Sequence, residues 1–293
     1  MRAIGIDLGG TKIAAGLVDL DTGAVLRRTI IPSEGDKGPQ VVMDRMADAA
    51  RQVMEGKIVG VGVGAPGPVN YQGVVLWTPN LGGWKNIPVA PEMERRLELP
   101  TRADNDANLA AWAEYRFGAA RPFASFFYLT ISTGIGCGIV LNRQVWRGHH
   151  GWAGETGHMP VVRQGRKCGC GSYGCWETVA SGTAIGRAGS EALGRPVDAK
   201  AIFQLAAQGD AEAQKVLDEA IDYVALGLTS LQKNFDLEAV IIGGGVSRAG
   251  DAFFIPLRQK TLGYLRHMVD EVIILPAQLG EEVGIIGAAA LWT

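Results

Sequence analysis

The chain has 293 residues, 47% hydrophobic and 20% charged, which suits two globular domains better than one ordinary core. Lysine plus arginine (28) nearly balances aspartate plus glutamate (30), which excludes the basic footprint of a nucleic-acid binder or an anionic-membrane binder. No apolar run reaches the roughly 18 residues of a membrane span and no export signal opens the chain, so the expected compartment is the cytoplasm. There the four cysteines are expected as thiols or metal ligands, not as disulfides.

The 41 glycines are well above the average of about 7% and call for turns and backbone-lined pockets. Residues 3–8 read as an apolar strand and 13–18 as a second, joined by Gly9-Gly10-Thr11-Lys12. After the turn Asp21-Thr22-Gly23 the chain returns over 25–31, and helical periodicity follows at Val42, Met46, Ala49, Ala50 and Val53. A buried strand over 58–63 ends in Gly64-Ala65-Pro66-Gly67-Pro68. A strand over 100–104 leads through Asn105 and Asp106 into a helix over 107–117, stopped by Gly118. From Ser125 the opening rhythm recurs: 129–140 repeats strand, glycine turn, strand, and a further arm follows at 144–147. The recurrence fits either two similar α/β halves around a cleft or the repeated use of a common hairpin. A long amphipathic helix (Val216, Ala220, Val224, Leu228, Leu231, Phe235) comes next. A strand over 239–242 then runs into Gly243-Gly244-Gly245, and a strand over 272–275 and a helix over 282–291 complete the chain. No low-complexity linker interrupts it, so the boundary near 118–121 reads as a hinge and not a tether.

Three glycine turns follow strands and could present backbone amides to phosphate oxygens: Gly9-Gly10-Thr11-Lys12, Thr133-Gly134-Ile135-Gly136 and Gly243-Gly244-Gly245. Neither a Walker A loop nor a dinucleotide fingerprint is present; each turn by itself reads as a tight hairpin, and the three together favour a nucleotide cleft. Asp7, just before the first turn, is the natural carboxylate to orient Mg²⁺ through water.

His158, Cys168, Cys170 and Cys175 follow the spacing H-x9-C-x-C-x4-C, the composition of a closed structural Zn²⁺ shell; the alternatives are buried free thiols or a redox pair. Cys137 reads as a small core residue. Glu155 and Glu177 flank the cluster, where an ion would bring two carboxylates together as acceptors for vicinal hydroxyls; either one alone reads as an ordinary surface charge. Asp106 has the local signature of a helix N-cap, a role Asn105 could fill instead; only its surroundings make it a candidate general base.

Together these residues resemble the ROK (repressor, open reading frame, kinase) family over essentially the whole chain. The resemblance rests on the 7–12 segment, Asn105-Asp106-Ala107-Asn108, Ser132-Thr133-Gly134-Ile135-Gly136, Gly154-Glu155-Thr156-Gly157-His158 and the block over 168–177. It implies an α/β, actin-like (ribonuclease H-like) duplicated fold closing over ATP and a hexose. One body would comprise 1–118 plus about 282–293, and the other 119–281. It also implies an ATP-dependent kinase for the 6-hydroxyl of glucose, with Asp106 as base. Gly67, Asn80, Asn105, Glu155, His158 and Glu177 would be sugar ligands. Asp7, Gly9, Gly10, Thr11, Lys12, Thr133, Gly134, Gly136, Gly244 and Gly245 would line the nucleotide and its Mg²⁺. His158, Cys168, Cys170 and Cys175 would hold structural Zn²⁺. The resemblance implies a homodimer or homotetramer, with no nucleic-acid or membrane partner. N-acetylglucosamine, N-acetylmannosamine, fructose and allose stay open as substrates. A DNA-binding repressor of this family would carry a helix-turn-helix ahead of the first strand, where only Met1 and Arg2 stand.

Overall fold

The computed structural model describes residues 1–78 and 81–293 and contains two five-stranded sheets, each flanked by helices. The first half comprises β1 (Arg2–Leu8), β2 (Lys12–Asp19), β3 (Val25–Pro32), α1 (Pro39–Val53), β4 (Val61–Ala65), the small two-stranded arm β5 (Val75–Thr78) and β6 (Trp84–Ile87), α2 (Val89–Leu97), β7 (Thr101–Asn105) and α3 (Asp106–Phe117). The second comprises β8 (Phe126–Ile131), β9 (Ile135–Leu141), β10 (Gln144–Val145), α4 (Glu177–Ala180), α5 (Gly182–Leu193), α6 (Ala199–Ala207), α7 (Ala211–Phe235), β11 (Ala239–Gly243), α8 (Asp251–Leu265) and β12 (Ile274–Pro276). The chain closes on α9 (Val283–Ala289).

The two sheets share one topology, β3-β2-β1-β4-β7 and β10-β9-β8-β11-β12. In each, three antiparallel strands in sequence are extended by two parallel ones reached through helical crossovers. This is the actin-like, ribonuclease H-like arrangement, present twice. Duplication, and not a chance hairpin, underlies the repeated rhythm at 6–17 and 129–140.

Burial follows layer position. β4 and β11 are buried at every residue because helices cover both faces of their sheets, whereas edge strand β3 exposes most of its side chains and carries Arg27 and Arg28. One core packs α1 against β1, β2 and β4, and a larger one packs α5, α7 and α8 against the second sheet. Helix α9 returns to the other face of the first sheet, where Ile285 and Ala289 meet Ala3, Ala14 and Val18.

Glycines do more here than form turns. A Cβ on Gly5 would strike Ile285 O, one on Gly62 would strike Ala288 O, and one on Gly287 would strike Leu109 O. Likewise, a Cβ on Gly138 of β9 would strike Ala107 O of α3. Backbone therefore packs directly on backbone where α3 and α9 lie between the sheets.

Some element boundaries differ from the sequence reading. Residues 58–60 run beside β1, with Val59 N–H bonded to Arg2 O, but the strand proper begins at Val61. The arm expected over 144–147 stops at Val145, and Arg147 turns its guanidinium to Asp104. The final helix is divided among 3₁₀ turns at Gly280–Glu282 and Ala290–Trp292 and α9 between them. Among the described residues no helix is long and apolar enough to cross a membrane.

Candidate active site

Strand β7 delivers Asp104, Asn105 and Asp106 to the start of α3. Asn105, in extended conformation, is the cap: its Oδ1 accepts from Ala107 N–H at 2.9 Å and Asn108 N–H at 3.2 Å. Its Nδ2 donates to Gly67 O at 3.0 Å, tying the 64–68 loop to the helix. Gly67 needs its residue type there, because φ is +85° and a Cβ would strike Trp77 O. Asp106 is thus released from the capping role its local sequence suggested and faces the cavity as the first helical residue, accepting Ala107 N–H at 2.8 Å. Asn105 thereby joins Gly67 to α3 while its side chain also lines the cavity.

Asp104 supports the same turn from behind. It is 2% exposed; its Oδ1 accepts Asn105 N–H and Asn108 Nδ2, and its Oδ2 accepts Arg147 Nε at 2.7 Å. Neither Asp104 nor Arg147 carries a sequence signal that would have singled it out.

Glu155 and His158 begin and end a 3₁₀ turn (Glu155–His158) pressed onto β9, since Cβ atoms on Gly154 and Gly157 would strike Cys137 O and Ile135 O. The following segment folds back on itself as a hairpin-like knuckle, with Val161 N–H on Gly174 O and Cys168 N–H on Ser172 O. Trp176, fully buried and donating Nε1–H to Tyr223 O, anchors this knuckle to α7 and sets Glu177 at the start of α4.

The ligand atoms of His158, Cys168, Cys170 and Cys175 all lie within 4.8 Å of one another. Cys168 Sγ is 3.5 Å from His158 Nδ1, and Cys170 Sγ is 3.6 Å from Cys175 Sγ. Zn–S of about 2.3 Å and Zn–N of about 2.0–2.1 Å imply tetrahedral edges of roughly 3.5–3.8 Å. The donor set and the spacing fit a zinc ion bound through Nδ1, which leaves Nε2 pointing toward Glu155 Oε2 at 3.8 Å. Glu177 Oε1 lies 2.9 Å from Cys168 Sγ and 3.5 Å from His158 Nδ1, so this carboxylate borders the cluster directly.

One cavity of about 560 Å³ brings together Gly67, Asn105, Asp106, Thr133, Gly134, Gly136, Glu155, His158, Cys168, Cys170 and Glu177. Gly134 lies against Glu177, where a Cβ would come within 2.5 Å of Oε2. Asp106 is exposed to the cavity, and desolvation by the surrounding walls together with the negative charge of Asp7 pushes its carboxyl up to about 6. Glu155 is pushed up to about 7 by burial and then by Asp106 and Glu177. Asp7 is itself raised by burial, against the pull of Lys12, and packs against Gly284 of α9.

Not every expected residue lines this cavity. Gly9, Gly10, Thr11 and Lys12 form the β1–β2 turn at the end of the strand that carries Asp7, and they line none of the described recesses. Gly245 lines an adjoining recess of about 630 Å³ that shares Ser132 and Thr133 with the first, whereas Gly244 is a close-packing residue whose Cβ would meet Ile131 O at 2.5 Å. Cys175 closes the cluster from within the fold, and Asn80 lies outside the described residues. Two cations were not foreseen. Lys167 lines the cavity, and Arg187 of α5 lines both recesses and donates to Thr178 O. Lys167 adjoins the cysteine block, but Arg187 looks like any polar residue of an amphipathic helix.

Residues 3–293 match the pattern of the ROK family. The chain is 38% identical to the glucokinase of Streptomyces coelicolor, over 98% of this chain and 96% of that protein. It is 36% identical to the N-acetylmannosamine kinase of Yersinia pseudotuberculosis, over 99% and 98%. Among solved structures, it is similar to a ROK family glucokinase from Streptomyces griseus in complex with glucose and AMPPNP. That match has a TM-score of 0.86 and 36% identity and covers 99% of each chain.

Proposed function

The chain belongs to the ROK family, and from that premise we propose that it is a glucokinase, transferring the terminal phosphoryl group of ATP to the 6-hydroxyl of glucose with Asp106 as general base. The observation that carries the reading is the exchange of roles at the start of α3: Asn105 caps the helix, and Asp106 is left facing a cavity that Glu155, His158 and Glu177 also line. A base with a carboxyl near 6 is ionised at neutral pH and still basic enough to take a hydroxyl proton as the O–P bond forms. Glu155 and Glu177 would accept hydrogen bonds from ring hydroxyls, and His158 Nε2–H would donate one. The Thr133–Gly136 turn would meet the phosphates, with Lys167 and Arg187 close enough to offset their charge.

Mg²⁺ bound with ATP would neutralise charge developing on the phosphates, and Asp7, near the end of β1, would orient its water shell. His158, Cys168, Cys170 and Cys175 would hold a structural zinc ion, which would fix the geometry of Glu177 and His158 relative to the sugar. The bodies 1–118 with about 282–293, and 119–281, would close on the bound pair and exclude water that would otherwise hydrolyse ATP. The reducing cytoplasm suits the free cysteines of the cluster.

N-acetylmannosamine is the second reading, favoured by the 36% identity to a kinase of that name. An ADP-release assay with glucose, mannose, fructose, glucosamine, N-acetylglucosamine and N-acetylmannosamine separates the two. Glucose should give the highest kcat/KM; a higher value for N-acetylmannosamine replaces the substrate, and no ADP with any sugar at millimolar Mg²⁺ removes the kinase reading.

A further inference from the structure

Glu114 is fully buried in the last turn of α3. A carboxylate there lies at the negative end of the helix dipole and out of water, so it is retained only if strong donors meet it. Three backbone amides do so. Oε2 accepts Ala119 N–H at 2.8 Å, and Oε1 accepts Gln278 N–H at 2.8 Å and Leu279 N–H at 2.9 Å. The Glu114 carbonyl also accepts Gly118 N–H at 3.0 Å and Ala120 N–H at 3.1 Å. Gly118 permits this approach, since a Cβ on it would overlap the carboxylate.

These five donors belong to the two segments by which the chain passes between its sheets. One crossing leads from α3 to β8 and the other from β12 to α9. Three of the donors, the amides of Ala119, Gln278 and Leu279, are held by the carboxylate, so a single side chain fastens both crossings to one end of α3. The other end of the same helix presents Asp106, eight residues or about 12 Å away at 1.5 Å per residue.

We infer that Glu114 is the clasp of the hinge: a positioning residue that holds both crossings in register with α3, so that the halves rotate about one fixed point while Asp106 keeps its place. The clasp stands on geometry alone, and its link to turnover rests on the kinase reading above.

Hydrogen–deuterium exchange on the full chain tests it, paired with steady-state kinetics. Glu114→Gln retains a carbonyl for Gln278 and Leu279 but turns an NH₂ toward Ala119 N–H. Exchange should therefore rise at least tenfold in 118–120 and stay near wild type at 278–279. Glu114→Ala should release both segments together. With sugar and ATP, kcat should fall about tenfold in both variants while the KM for sugar stays within twofold.

Loosening that spreads evenly through α3 and both sheets, or a Glu114→Gln variant with unchanged exchange in 118–120, overturns the clasp. Loosened crossings with unchanged kcat overturn the positioning role. If Glu114→Ala does not fold, the asymmetry in Glu114→Gln alone decides. If the wild type phosphorylates no sugar, the kinase reading fails, and the exchange pattern still decides the clasp.

Discussion

Asp106→Asn tests the assignment of the base through two properties that should move in opposite directions. A carboxyl displaced from its ordinary 3.8 to about 6 by burial and the charge of Asp7 is destabilised in its ionised form. At neutral pH that displacement corresponds to about 3 kcal/mol before screening, and to about 1 kcal/mol for a group reached by cavity water. The folded state prefers the protonated acid, so the penalty is absent below pH 3.8 and fully present above about pH 6. Replacing Asp106 by the neutral isostere should therefore raise stability by about 1 kcal/mol at pH 7.5, or about 2 °C in Tm. The gain should vanish toward pH 4. Turnover should fall by about 10²–10⁴-fold, because the proton acceptor is lost while shape is kept. For the wild type, kcat/KM should decline as pH falls through about 6. Denaturant unfolding at the two pH values and a coupled ADP assay supply the measurements. An Asp106→Asn protein with near wild-type turnover, or one less stable than wild type at pH 7.5, refutes the assignment.

Two further outcomes are expected. Elemental analysis of the purified chain should find one zinc per chain, and Cys170→Ser should lose the metal together with tenfold or more of kcat/KM through loosened Glu177 and His158; a metal-free, fully active wild type rules the cluster out as a zinc site. Arg147→Met leaves Asp104 buried without its cation and should lower the unfolding free energy by about 3 kcal/mol, whereas adding Asp104→Asn should recover most of that loss; additive losses in the double variant would show that the pair is not coupled.

The secondary structure was legible where the pattern was long and regular. The apolar runs of β1, β2, β4 and β11 and the amphipathic α7 stand close to their sequence positions, because burial on both faces or along one stripe leaves a periodic mark. Helices α2, α5, α6 and α8 were not foreseen. α8 contains Pro256, a residue that argues against a helix interior, and α5 carries Gly182, Gly186 and Gly189, which lower helix propensity. For the site, the cysteine–histidine spacing survives as a spatial cluster because ligand chemistry dictates it locally. The choice between Asn105 and Asp106 as cap could not be made from sequence. It depends on Gly67 O, 38 positions upstream, which binds the Asn105 amide and settles which side chain turns inward. Arg147 and Arg187 were invisible for the same reason, since their partners lie 43 and nine residues away on other elements.

The glycine excess has an explanation beyond the turns it first suggested, and it bears on how the halves could move. Where Ala107 O of α3 meets Gly138 of β9, and where Leu109 O meets Gly287 of α9, helix backbones are in contact with no side chain to slide or repack. The same holds for α9 on Gly5 and Gly62 of the first sheet. Such joints resist shear, because even one methyl would have to displace a carbonyl. The closure proposed above is therefore confined to rotation at the two crossings, both of which end on Glu114. Asp106 lies one residue from the Ala107–Gly138 contact, a joint that such a rotation would leave in place. Closure of that kind would narrow the cavity mouth while scarcely moving Asp106.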